Sequence, residues 1–179
     1  MTTGRVFSIG YGSQTQTDVL DQLARAKITY VIDVRSSPFS RYQPDFSREP
    51  LSKSLKGRDI KYVFMGDLLG GRPKDDDCYT DGRVDYHKTR EKDFFKRGID
   101  RLKSAHAQGL NICMICSEGQ PSQCHRSKLI GEALVEHGID VTHLLPDGAS
   151  KSQADVIAEL TDGQTDMFGD PFLSRKTYR

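Results

Sequence analysis

The segment Cys116-Ser117-Glu118-Gly119-Gln120-Pro121-Ser122-Gln123-Cys124-His125-Arg126 places two thiols, a carboxylate, an imidazole and a guanidinium in one short stretch. A thiolate is a nucleophile and a soft metal ligand, a carboxylate moves protons, and a guanidinium grips phosphate or carboxylate with paired N–H groups. Cys116 and Cys124 are expected to do thiol chemistry, because a helix N-terminus and a nearby arginine both favour the ionised sulfur. The alternative is that they pack as small hydrophobes, which is the expected role of Cys78 and Cys113. Glu118 is expected to act as a general acid or base, against a local role in capping the next helix or pairing with Arg126.

Spacing narrows the mechanisms. A phosphatase-type cradle or a rhodanese-like sulfur carrier needs an arginine six positions after its cysteine, and those positions hold Ser122 and Ile130. Zinc would find soft ligands in Cys116, Glu118, Cys124 and His125, but no Cys-x-x-Cys pair is present and His125 adjoins Cys124, so no metal is assigned. Asp75-Asp76-Asp77 with Asp81-Gly82 lacks the ligand alternation and closing glutamate of a calcium loop and reads as a solvated turn.

The elements that must carry this chemistry follow from the apolar runs. Strands are expected at residues 5–9, 28–34, 60–64, 110–116 and 139–145, and helices after Thr15, around Leu51 and Leu55, at about 85–107 and at 121–137. Strands alternating with helices predict a three-layer α/β fold, a mainly parallel five-stranded sheet with helices on both faces. The loops at Gly10-Tyr11-Gly12, Asp33-Val34-Arg35, residues 66–72 and Cys116-Ser117-Glu118 would then share the carboxyl edge of the sheet, where such folds bind ligands. Arg35, Arg41 and Arg126 are expected to converge there as an anion clamp, the opposing reading being that Asp33 simply pairs with Arg35. Gly10 and Tyr11 open a turn whose amides can meet a phosphate. That turn is also a broken dinucleotide fingerprint, with Thr15 where a third glycine should stand and Asp33 where a ribose ligand would lie. No cofactor is assigned.

The ordered set Ser8-Ile9-Gly10-Tyr11-Gly12, Asp33-Val34-Arg35 with Pro38, Ser40 and Arg41, Leu69-Gly70-Gly71, and Cys116-x-Glu118 with Cys124-His125-Arg126 resembles the bacterial and archaeal family called domain of unknown function 488. The resemblance spans roughly residues 5–145 and implies an α/β fold with these motifs around one site. It implies no reaction.

Composition bounds the rest. In 179 residues with a net charge of +1, nothing biases the whole chain toward polyanions, and no stretch approaches a membrane span. Four cysteines without an apolar leader read as a cytoplasmic protein with reduced thiols. Residues 1–145 are expected to form one domain and 146–179 an extension that packs on the body or is partly disordered, with Arg175 to Arg179 a frayed end. Tyr11, Tyr42, Tyr79 and Tyr86 near the loops can stack on a base or sugar, whereas His143 has no evident partner. The expectation is an uncharacterised enzyme acting on an anionic small molecule, nucleotide or nucleic acid, with Cys116, Glu118 and Cys124 catalytic and Gly10, Tyr11, Asp33, Arg35, Arg41, His125 and Arg126 binding substrate. The alternatives are a non-catalytic nucleotide or nucleic-acid binding module and a zinc-binding protein.

Overall fold

The computed structural model describes residues 2–162 and 169–179. Its main sheet has the order β3-β2-β6-β1-β7-β8, built from Lys61–Phe64, Tyr30–Asp33, Ile112–Cys116, Val6–Gly10, Val141–Leu144 and Ser150–Ser152. The first five strands are parallel, and β8 returns antiparallel against β7, so the sheet has six strands rather than the expected five. After Leu144 the chain does not leave the body: Leu145 N–H donates to the Ala149 carbonyl, and the tight return pairs Leu144 with Ser150.

Strand alternation sorts the side chains into two cores. Phe7, Ile9, Val31, Cys113 and Ile115 pack against α1 (Gln16–Arg25) and α2 (Arg48–Lys56). Val6, Ile32, Ile112, Met114 and Cys116 face the opposite layer, formed by α3 (Gly66–Leu69), α5 (Asp93–Ala107) and α6 (Glu132–Glu136). Helices thus cover both faces, giving the three-layer α/β architecture. Thr15 caps α1, its hydroxyl accepting from the Asp18 amide, as the sequence pattern predicts.

Two expected helices are subdivided. The one at 85–107 is α4 (Tyr86–Arg90), capped by the Asp85 carboxylate, and then α5, the chain being extended at Lys92 between them. The one at 121–137 is a 3-10 turn (Pro121–Gln123), an extended Cys124, a π-helical turn (Arg126–Gly131) and α6. The extended Cys124 delays the helix until after the second thiol, and the π-helical turn opens on Arg126.

The polar stretch after residue 72 holds an unexpected hairpin. β4 (Tyr79–Thr80) and β5 (Arg83–Asp85) are joined by Asp81-Gly82, both with positive φ, which is the backbone that an Asp-Gly two-residue hairpin turn adopts. The C-terminal β9 (Leu173–Thr177) pairs antiparallel with β5, so Arg175 to Thr177 are strand rather than a frayed end. Helix α7 (Gln153–Thr161) packs against the 3-10 and π turns. Of the apolar segment at 166–173, Asp166, Met167 and Phe168 lie outside the described residues.

Candidate functional site

Strands β2, β6 and β1 are neighbours, and β6 enters between the other two only after the chain has crossed to the β3 edge and back. Such a reversal leaves a crevice at the carboxyl edge. Tyr11, Arg35 and Cys116 to Glu118 emerge there and line one cleft of about 470 Å³, together with Cys124 and His125.

At its floor, Cys116, Cys124 and His125 are buried, and their two sulfurs and an imidazole nitrogen lie within 4.8 Å of one another. His125 Nε2 is 2.9 Å from the Val34 carbonyl, which can only accept, so Nε2 carries the proton and Nδ1 is the nitrogen 3.6 Å from Cys124 Sγ. Gly71 lets this ring in: a Cβ there would stand 2.9 Å from His125 Nδ1.

Arg126 is 0% exposed, and among the described residues no carboxylate pairs with it. Its Nε donates to Cys124 Sγ at 3.3 Å, one terminal nitrogen to Ser8 Oγ at 2.8 Å and the other to the Glu118 carbonyl at 2.6 Å. Because Ser8 Oγ accepts from Arg126, its own hydrogen goes to His143 Nδ1 at 2.6 Å. His143 Nε2–H then donates to Gln153 Oε1 at 2.7 Å, and the Gln153 amide donates to the Ser127 carbonyl and Glu132. This chain fixes the direction of every bond in it. Burial, with the charge of Arg126 behind it and the Gln153 hydrogen bond opposing, lowers the His143 pKa to about 4, so His143 is neutral and adds no second positive charge beside the guanidinium.

The remaining anion is a thiolate. Burial disfavours ionisation of Cys124, but its interaction with Cys116, the charge of Arg126 and the neighbouring His125 ring outweigh it and hold its pKa well below the usual thiol value. Cys116 moves the opposite way, kept protonated by its hydrogen bond to Cys124 and by burial. Cys113, which belongs to the other core, is also pushed up by burial.

The expected three-arginine clamp is not assembled. Arg35 is held bidentately by Asp33, with Nε–Oδ1 2.9 Å and Nη2–Oδ2 2.6 Å, and Tyr62 donates to the same carboxylate at 2.6 Å. Asp33 is thereby saturated and completely buried, so it is a positioning group rather than a ribose ligand. Arg41 is exposed beside Tyr42, itself 90% exposed, and neither lines the cleft. The amides of Tyr11 and Gly12 donate to the carbonyls of Cys116 and Ser117, so this turn does not offer them to a phosphate. Gly10 serves another purpose, since a Cβ would meet the Glu118 carbonyl oxygen at 1.7 Å and Arg126 at 2.5 Å. The Tyr11 hydroxyl accepts from Arg35 at 3.3 Å and its ring stacks on Phe46. The Glu118 carboxylate reaches Arg175 at 3.5 Å, while only its carbonyl meets Arg126.

The cations that do line the cleft come largely from segments with no evident motif. Arg72, Lys74, Arg175, Lys176 and Arg179 surround its mouth, against one side-chain carboxylate among the described residues, that of Glu118. Arg72 lies 4.4 Å over the Tyr178 ring, and Arg179 lies 4.4 Å over Tyr79 with its Nε donating to Asp76 at 2.8 Å, so an aromatic face holds the first guanidinium and a ring and a carboxylate the second. Three ligands for a metal are present in Cys116, Cys124 and His125, with the Val34 carbonyl orienting the imidazole as such ligands require. The buried guanidinium against Cys124 opposes a dication there and favours a bare thiolate.

A family model matches residues 15–133, from the cap of α1 through the thiol loop into α6. The chain belongs to the family described as Domain of unknown function DUF488. No curated protein and no solved structure matches it. Within the DUF488 match lie Asp33, Arg35, Cys116, Glu118, Cys124, His125 and Arg126, whereas Ser8, Gly10, His143, Gln153, Arg175 and Lys176 lie outside it.

Proposed function

We propose that this DUF488 protein is an enzyme that uses Cys124 as a nucleophile on an anionic substrate held in the cationic, tyrosine-lined cleft. The observation that carries this reading is Arg126: a fully buried guanidinium requires an anion, and the sulfur of Cys124 is the group in contact that can become one. Cys116 Sγ stands within 4.8 Å of that sulfur, and His125 presents Nδ1 to it, poised to exchange a proton with an incoming or leaving group. Glu118 at the cleft wall is placed for proton transfer or substrate contact, with Arg175 as its partner. Tyr11, Tyr79, Tyr86 and Tyr178 line the space where a flat ring would lie, which supports a nucleotide among the anions the cleft can take.

Alkylation of the native protein with iodoacetamide, followed by peptide mapping, tests this. Cys124 should be modified first and at an undiminished rate at pH 6, where an ordinary thiol is more than a hundredfold slower than at its plateau. Cys124 that alkylates only above pH 8 defeats the reading. A binding module whose cysteines merely pack predicts inert sulfurs with ligand retention intact in Cys124→Ser, and a zinc protein predicts about one equivalent of metal in chelator-free preparations.

A further inference from the structure

The proposed nucleophile does not stand alone. Cys116 ends strand β6, Cys124 follows a loop anchored at Pro121, and their sulfurs are within 4.8 Å across the cleft floor. A second sulfur is an unusual choice if the first only needs a hydrogen-bond donor, because a serine would serve. Its distinctive property is that it can displace whatever sulfur-bonded group Cys124 acquires. The cleft mouth meanwhile selects charge: Arg72 has an aromatic face, and neither it nor Lys74 nor Lys176 beside it has a carboxylate partner among the described residues.

We propose that the cleft accepts an anionic low-molecular-weight disulfide, which Cys124 and then Cys116 reduce by thiol–disulfide exchange, leaving a Cys116–Cys124 disulfide. This deepens the nucleophile reading and rests on it. In the first step the Cys124 thiolate attacks one sulfur of the substrate, a Cys124–S bond forms, the substrate S–S bond breaks, and one substrate thiolate leaves. That thiolate takes up the proton of Cys116. Cys124 is then uncharged, and the buried Arg126 guanidinium has lost its anion, so the same positive charge now favours the Cys116 thiolate. Cys116 attacks Cys124 Sγ, the protein disulfide forms, and the second substrate thiolate departs. Two electrons pass from the two protein sulfurs to the substrate disulfide, and one proton moves from Cys116 to the first product. One cation thus serves two sulfurs in succession.

The full reduced chain, mixed with oxidised glutathione and quenched with acid, provides the test by intact mass and non-reducing peptide maps. Wild type should end with the peptides of Cys116 and Cys124 linked and no glutathione retained. Cys116→Ser, and Cys116→Ala as a second variant, should trap glutathione on Cys124, while Cys124→Ser should take up none. Oxidised glutathione should react at least about tenfold faster than the cationic disulfide cystamine at low salt, and the ratio should shrink as salt is added. Wild type that retains glutathione as Cys116→Ser does, or cystamine that reacts as fast, overturns the proposal. Iodoacetamide labelling of the same samples separates the two readings: a rapidly alkylated Cys124 with no linked peptides sinks the exchange alone, and an inert Cys124 sinks both.

Discussion

At the scale of single residues, buried charge decides the chemistry. Because the folded pKa of Cys124 lies well below the 9.0 of a free thiol, its contribution to stability is full above that value and is lost as pH falls through the folded pKa. Replacing Arg126 by Gln should therefore slow alkylation of Cys124 at pH 6 by at least about tenfold and restore an ordinary thiol pH profile, read from initial rates, provided circular dichroism shows the variant folded. His143 obeys the same rule for a base: its folded pKa of about 4 lies below the 6.5 of a free imidazole, so the unfolded state gains protons first and stability declines as pH drops from 6.5 toward 4. The loss amounts to about 3 kcal/mol. Urea denaturation at pH 7 and pH 4 should show a loss larger by about that amount in wild type than in His143→Gln. Gly10→Ala should cost about 2 kcal/mol or more and abolish the low-pH reactivity of Cys124, since the new methyl occupies the place of the Glu118 carbonyl and pushes Arg126 away. The thiol–histidine–arginine run was legible in the sequence by residue type alone. Ser8, His143 and Gln153 were not, because their link exists only where β1, β7 and α7 meet in space.

At the scale of elements, apolar runs long enough to be buried strands were readable, and so was the three-layer arrangement they imply. Shorter and more polar pieces escaped. Asp81-Gly82 is a hairpin signal, but it is flanked by strands of two and three residues, too short for alternation to show. Strand β9 reads Leu-Ser-Arg-Lys-Thr and has one buried residue, Ser174, whose hydroxyl accepts from the Val84 amide at 2.9 Å. Its identity comes from a partner some 90 positions earlier, which no local pattern records. Gly82 joins these pieces, with φ of +77° and the Arg179 carbonyl 2.3 Å from where a Cβ would be. Gly82→Val should detach β9, seen as faster tryptic cleavage at Arg175 and Lys176 with the rest of the chain still protected.

For the whole molecule, a net charge of +1 conceals a strong asymmetry. Among the described residues, the cations lining the cleft outnumber the one carboxylate there, so their field is local and is not visible in the composition. Iodoacetate, which is anionic, should alkylate Cys124 faster relative to neutral iodoacetamide at 0.01 M salt than at 1 M, as the Debye length contracts from about 30 Å to about 3 Å. Lys176→Glu should lower that ratio at low salt without altering the iodoacetamide rate. The expected clamp of Arg35, Arg41 and Arg126 failed for a related reason. Sequence order shows which loops carry arginines, but not that Asp33 occupies one of them, that Arg41 turns to solvent and that Arg126 lies beneath the floor. The π-helical turn at Arg126–Gly131 has a further meaning in this setting. Such a turn carries one residue more than an α-helical path needs, and each residue of an α-helix advances the azimuth by about 100°. Deleting one residue from the turn would let it relax to α with the segments on either side close to their present phase, whereas inserting one more would swing everything before it around the axis by about 100°, carrying the guanidinium off Ser8 and the sulfur off its neighbour. The extra residue is thus slack that the turn has already taken up, so within residues 127–131 an insertion of one should damage the site more than a deletion of one.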